Sequence, residues 1–321
     1  MNFSETAAQR NLLIYGTRLV TFPAIFLNLF VIFISTHRKL VKGTYKWFVG
    51  NLAVSDFIFS LTFFLLQPRV SAGPPEALTS ITCNFIIVIS CYSAEMMLYS
   101  MCMVAVDRFV SIICHSVHKH NQIFTNRSCF LYCLAVHLVA FVFVLPFLFD
   151  PHHPQPREPK FCTTLLKRSW LSLSTTGAIG IAVSGSLSVT TYCTARVYNT
   201  LKSHSMQVVH LIDEASLRRD RNLMKALMIQ LIIACGSCAP AAVISALTPF
   251  LDGINWYVET IGILLILCNP CMDAMTTLCV VKPYKRVTVN LVKGLRQGQL
   301  LLDAQSTTTT HRPVAVRYRV H

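Results

Sequence analysis

An all-α bundle of seven transmembrane helices, followed by a short amphipathic helix on the membrane surface, is the fold class this sequence predicts, and three observations carry the prediction. The chain of 321 residues is 53% hydrophobic and only 13% charged, whereas soluble domains carry about 25% charge. Apolar runs long enough to cross a ~30 Å hydrocarbon core recur seven times: Leu12 to Thr36, Trp47 to Gln67, Ile81 to Ile113, Cys129 to Phe149, Trp170 to Tyr192, Leu223 to Leu247 and Ile254 to Val281. Most Lys and Arg follow spans one, three, five and seven, as in Arg38 to Lys46, Arg196 to Lys225 and the segment from Lys282 onward.

By the positive-inside rule those stretches are cytosolic. The N-terminus is then extracellular and the C-terminus cytosolic, at the plasma membrane. The net charge of +14 reads as an inner face apposed to anionic lipid and needs no nucleic acid. Residues 1–11 form a polar outer tail without the apolar core of a cleavable signal, so the first span is expected to act as signal anchor. Asn2-Phe3-Ser4 is a glycosylation sequon on that tail. Asn126-Arg127-Ser128 matches the same pattern on the cytosolic side, where it stays unmodified.

Span one carries Pro23 and Asn28, and span two carries Asn51-Leu-Ala-Val-Ser-Asp56. An ionised Asp at mid-bilayer costs about 2.5 to 3.5 kcal/mol on insertion scales, so Asp56 is expected to face the bundle interior. Asn28, Asn269, water or a bound cation such as sodium are the partners on offer. Span three reaches furthest, since at about 1.5 Å per residue the run from Cys83 to Arg108 covers roughly 38 Å. It holds a thiol at one membrane face and Asp107-Arg108-Phe109 at the other, an arrangement that suits a transducer.

Of the thirteen cysteines, most lie within spans and pack as small hydrophobes, Cys235 and Cys238 included. Cys83 and Cys162 fall at outer boundaries in an oxidising compartment, so they are expected to form a disulfide that pins the second outer loop over span three. The outer half of span three offers Ser90, Cys91, Ala94 and Glu95 as ligand-pocket candidates, and span seven offers Trp256 and Glu259 one turn apart. Two acids and an aromatic suit a cationic ligand. His152 and His153, and His115, His118 and His120, lack the spacing of a structural zinc site.

Pro240 and Pro270 remove intrahelical bonds and kink spans six and seven. Residues 282–297 read as an amphipathic helix on the membrane surface, with Pro283 in its first turn and Val287, Leu291 and Leu295 on one face. The tail 298–321 is polar and expected to be disordered. Phosphorylation of Ser306 to Thr310 would give it a handle for a cytosolic partner.

Asn28, Asn51-Leu-Ala-x-x-Asp56, Cys83 with Asp107-Arg108-Phe109, Cys162 before span five, Pro240, and Asn269-Pro270 stand in an order that resembles the rhodopsin-like (class A) G-protein-coupled receptors over about residues 12–297. The departures are His137 for the usual tryptophan of span four, no proline in span five, Cys238 for the tryptophan of span six, and Asp273 for the tyrosine after Asn-Pro. Gln67-Pro-Arg69 and Lys282-Pro-Tyr-Lys-Arg286 are similar to segments of nematode serpentine chemoreceptors, the Srd-like ones in particular.

The resemblance implies a signalling switch made of Asp107, Arg108, Asp220, Pro240, Asn269, Pro270 and Asp273. At rest Arg108 is held by Asp107 and by Asp220 at the foot of span six, and activation frees it and opens a cleft for a heterotrimeric G protein. The implied ligand is small, and no cofactor is implied. Ser90 stands 18 residues before Arg108, where amine receptors carry their counter-ion aspartate, which disfavours a biogenic amine. Span seven has no lysine before Lys282, which excludes a retinal Schiff base of the opsin kind.

Two other functions remain open on the residues alone. An ion-coupled transporter or channel would use Asp56, Glu95 and Asp273 as its pathway, although the two halves show no internal similarity. A seven-span scaffold that does not signal is the other. An enzyme is not expected, because no His-Glu-x-x-His or Gly-x-Ser-x-Gly constellation occurs in the spans.

Overall fold

The computed structural model of the chain describes residues 3–37, 40, 41, 43–72, 76–113, 123–148, 170–207, 222–237 and 256–297. Every regular element among them is a helix: α1 (Phe3–Thr36), α2 (Tyr45–Ala72), α3 (Glu76–Ile113), α4 (Asn126–Leu148), α5 (Trp170–Gln207), α6 (Asn222–Ser237), α7 (Trp256–Val280) and α8 (Lys282–Gln297). Six of them, all but α6 and α8, are long and apolar enough to cross a membrane. Together the helices build a seven-helix bundle with α8 attached to its end. Asn2, Cys162, Asp220 and Pro240 lie outside the described residues, as do the tail from residue 298, the histidines singled out at 115–120 and 152–153, and the side chains of Cys83, Trp256 and Glu259.

Two helices outrun their apolar runs. α1 starts at Phe3, so the polar stretch expected to be an outer tail is helical from its third residue. α5 continues from Tyr192 to Gln207, and its apolar window is Gly177–Thr200 rather than the expected Trp170 to Tyr192. Residues 193–207 contain neither Gly nor Pro to stop a helix. Cys193 and Val197 are buried there, within the apolar stretch that ends at Thr200.

α3 packs against α2, α4 and α5, and α1 packs against α2 and α7. The α1–α2 contact is close because Gly50 has no side chain: a Cβ at that position would stand 3.1 Å from Ser35 Cβ. Between these helices Gly43 adopts a φ of 115°, which L side chains rarely adopt. Its turn sets down Thr44 and Tyr45 at the start of α2.

The interior is layered. At the Arg108 end a cluster joins Ile34, Tyr45, Phe48, Val104, Phe124, Val197, Leu223, Leu227, Leu278 and Tyr284 from α1 to α8. In the middle Leu52, Met97, Leu98, Met101 and Ala234 pack together, with Val183 and Leu187 of α5 against them. Toward the Cys83 end Leu13, Phe59, Phe63, Ile86 and Leu267 join α1, α2, α3 and α7. Leu131, Leu134, Leu138 and Val142 of α4 stay exposed, as a lipid-facing surface requires.

Candidate functional site: an internal polar core and a closed floor

The floor is built around Asp107 and Arg108, whose residues are 0% and 6% exposed. Nε of Arg108 donates to Asp107 Oδ2 at 2.8 Å, and its terminal nitrogen pairs with the same oxygen. Thr44 Oγ1 donates to the other carboxylate oxygen at 3.3 Å, and the guanidinium stands 5.4 Å from the centroid of the Tyr45 ring. Thr44, just before α2, and Tyr45, its first residue, therefore bind both members of the pair, by hydrogen bond and by cation–π attraction. The expected contribution of Asp220 lies outside the described residues.

α8 closes the same end. Tyr284 is fully buried, and its hydroxyl bonds Ser35 Oγ at 2.8 Å, tying α8 to α1. Burial pushes the Tyr284 phenol above its ordinary range, the Ser35 bond works against that rise, and nearby Tyr45 adds to it. Lys285, Arg286 and Lys293 of α8 are exposed while Val287 packs on the inner cluster, as an amphipathic helix demands.

Above the floor, polar side chains connect the helices in pairs. Asn28 Nδ2 donates to Ala24 O at 2.9 Å and to Pro270 O at 3.0 Å. Both of its N–H groups are thus engaged with carbonyls, and Asn28 serves the α1–α7 contact rather than Asp56. Ser237 Oγ donates to Asn269 Oδ1 at 2.6 Å, and Gln230 Nε2 donates to Asp273 O and to Thr277 Oγ1, each at 3.2 Å. These bonds staple α6 to α7 on both sides of Pro270.

On the other side Asn51 links three helices. Its Nδ2 donates to Ser100 Oγ at 2.8 Å and its Oδ1 bonds His137 Nε2 at 2.8 Å, while His137 Nδ1 bonds the Tyr92 hydroxyl. The histidine that replaces the usual tryptophan of span four is therefore a bridge among α2, α3 and α4.

Asp56 and Asp273 meet between α2 and α7, 3% and 2% exposed and near enough for their charges to interact. Asp56 Oδ2 and both carboxylate oxygens of Asp273 have no hydrogen-bond partner, and neither do the buried hydroxyls of Ser60 and Ser93. Such a surplus of acceptor oxygen fits a small cation or protons. Of the pocket candidates, the Ser90 hydroxyl turns back to Ile86 O, Cys91 is half-buried, Ala94 is exposed, and Glu95 is 1% exposed with Tyr99, one turn on, beside its carboxylate.

Sequence reasoning had singled out Asp56, Asp273, Asn28, Asn269, Asp107 and Arg108, and the structure puts them all in the interior. It missed Thr44, Tyr45, Gln230, Ser237 and Tyr284. For Gln230 and Ser237 a signal existed, since polar residues in an apolar span belong inside. For Tyr45 none did, because its role depends on a contact with a residue 63 positions further on.

Comparison with known proteins agrees with this geometry. The neuropeptide receptor npr-1 of Caenorhabditis elegans is 21% identical over 198 residues, 60% of this chain and 42% of that protein. The histamine H1 receptor of Bos taurus is 22% identical over 61% of this chain and 40% of its own, and the human alpha-1D adrenergic receptor 25% over 67% and 35%. The chain thus spans about two fifths of the length of the curated relatives it matches. All three are receptors rather than enzymes.

Squid rhodopsin superposes with a TM-score of 0.73 over 96% of this chain and 93% of that one at 16% identity, a likeness of fold. The family model described as 7 transmembrane receptor (rhodopsin family) matches residues 27–275, and the chain, a multi-pass membrane protein, belongs to that family.

Proposed function

We propose that the protein is a receptor that transmits binding of a small extracellular ligand, chemosensory in kind, to a heterotrimeric G protein. It does so by opening the ends of α3 and α6 toward the cytosol, with its N-terminus outside and its C-terminus inside. The observation that carries this reading is the closed floor: a guanidinium buried against Asp107 and Tyr45, under side chains from α5, α6, α7 and α8. Release of this covered pair would free Arg108 for a partner.

Asp220, at the foot of span six in the sequence, would add to the latch, and Pro240 and Pro270 would let the helices swing. Asp56 with Asp273 would hold a sodium ion in the resting state. Ser90, Cys91, Ala94, Glu95, Trp256 and Glu259 would line the ligand pocket, under a loop fastened by Cys83 and Cys162. α8 would lie on anionic lipid, and a phosphorylated Ser306 to Thr310 would recruit an arrestin.

The test is basal and odorant-stimulated G-protein activation in cells, comparing wild type with Arg108→Ala and Asp220→Ala at matched surface expression. Higher basal activity for Asp220→Ala and lower activity for Arg108→Ala are expected. No change in any G-protein readout, together with an ion flux that depends on Asp56, would overturn the receptor in favour of a transporter.

A further inference from the structure

α6 meets its neighbours in two different ways. Toward α3 the contact is apolar: Ala234 packs with Leu98 and Met101, while Leu223, Met224 and Leu227 join the inner cluster. Toward α7 it is polar, through Gln230 and Ser237, which stand seven residues apart and so on one face of the helix. The resemblance leads one to expect aromatic rings at positions 238 and 273, and the chain has Cys238 and Asp273 there instead.

Gln230 is 4% exposed, and both hydrogens of its Nε2 are used, one on the Asp273 carbonyl and one on the Thr277 hydroxyl. Those two acceptors lie one helical turn apart on α7. Each has another partner within reach: a helical carbonyl accepts the N–H four residues on, which for Asp273 is that of Thr277, and a threonine hydroxyl can bond the carbonyl four residues back. α7 can therefore let go of Gln230 at little loss. The amide of Gln230 cannot, because Ala226 and Leu227 beside it on α6 are buried and apolar. Only water entering an open cleft would replace what it gives up, so the contact is either fully made or fully broken.

We infer that Gln230 is a positioning residue for signalling, a clasp whose two bonds to α7 hold α6 in the closed bundle and break together when α6 moves away. The inference rests on the receptor reading above and names the contact that α6 surrenders. Gln230 stands ten residues before Pro240 and Ser237 only three, so a swing of α6 hinged there moves Gln230 about three times as far. Ser237 stays with Asn269 near the hinge, and Gln230 is the contact that parts. An amide on α6 thus does the work of restraint that no aromatic side chain at 238 or 273 is present to do.

The experiment is pulsed electron spin resonance on purified full-length receptor, with labels at Lys225 of α6 and Lys285 of α8, both exposed and carried by non-canonical amino acids. Gln230→Met keeps the length of the side chain and removes both donors. Loss of two neutral hydrogen bonds from the closed state shifts the closed-to-open balance about tenfold, so a receptor open about 1% of the time would show a longer distance in about a tenth of its molecules. Thr277→Val removes one acceptor and should shift the balance less than Gln230→Met, and adding it to Gln230→Met should shift it no further. A variant that merely loosened the packing would instead add its effect to the other. A Gln230→Met distribution equal to that of wild type, or a double variant that clearly exceeds Gln230→Met, would overturn the assignment. These comparisons need no G protein, so their failure is separate from failure of the receptor reading. Wild type alone supplies a second test should Gln230→Met not fold: where nucleotide-free heterotrimer lengthens the distance from Arg127 to Lys225, the distance from Lys225 to Lys285 should lengthen too, and an unchanged one would mean that α6 and α7 move together with the clasp intact, which would overturn it.

Discussion

Replacing Tyr45 separates the floor described here from one held by Asp107 alone. The ring stands 5.4 Å from the Arg108 guanidinium, with both residues buried. A desolvated cation–π contact is worth about 2 kcal/mol. At about 1.4 kcal/mol per factor of ten, losing it from the closed state alone shifts the closed-to-open balance roughly 25-fold. A receptor open about 1% of the time without ligand would then be open about a fifth of the time. Tyr45→Leu should produce that rise, because leucine fills much of the space but has no aromatic face. Tyr45→Phe keeps the ring and should stay within about twofold of wild type on this estimate. Both variants lose the hydroxyl, so contacts made by the hydroxyl cancel between them. The assay is basal nucleotide exchange on a G protein at matched receptor density. Equal basal activity for the leucine and phenylalanine variants would refute the role given to the ring.

Two further outcomes follow from the interior, and a third from the sequence of the outer face. His137→Ala leaves Asn51 Oδ1 and the Tyr92 hydroxyl without the partner they share, at a cost of about 1–3 kcal/mol for each group; detergent thermal melts should show a lower Tm, and the double variant with Asn51→Ala should lose less than the sum of the singles. Sodium chloride in place of choline chloride should raise the Tm of wild type but not of Asp56→Asn, and should raise that of Asp273→Asn less; a salt response identical in all three would remove the ion from the account. Peptide mapping should find Cys83 and Cys162 joined, and glycosidase treatment should shift wild type but not Asn2→Gln, while Asn126→Gln changes nothing.

The bundle was legible because hydropathy needs no tertiary information: each run of apolar residues marks a helix wherever it packs. Length was less legible. Span five was expected to end at Tyr192, yet its apolar stretch runs to Thr200 and α5 to Gln207, with Val197 packed in the inner core. Single acids in apolar runs were legible as interior residues, but that Asp56 and Asp273 face each other depends on how α2 meets α7. His137 stood out as a departure, whereas its two hydrogen bonds require α2 and α3 on either side of it. Tyr45 looked like an ordinary aromatic at the start of a span. Only the turn at Gly43 and the burial of Arg108 give its ring a function.

The most direct test of the closed floor is a distance measurement between α4 and α6 by pulsed electron spin resonance. Labels at Arg127 and Lys225, both exposed at the Arg108 end, would report the opening without touching the latch. They should be introduced through non-canonical amino acids, because the exposed thiols of Cys235 and Cys279 would compete for a cysteine reagent. One narrow distance is expected for the receptor alone and a second, longer population when nucleotide-free G-protein heterotrimer is added, enlarged in Tyr45→Leu. A distribution that stays the same in the presence of every heterotrimer class and in Tyr45→Leu would contradict it.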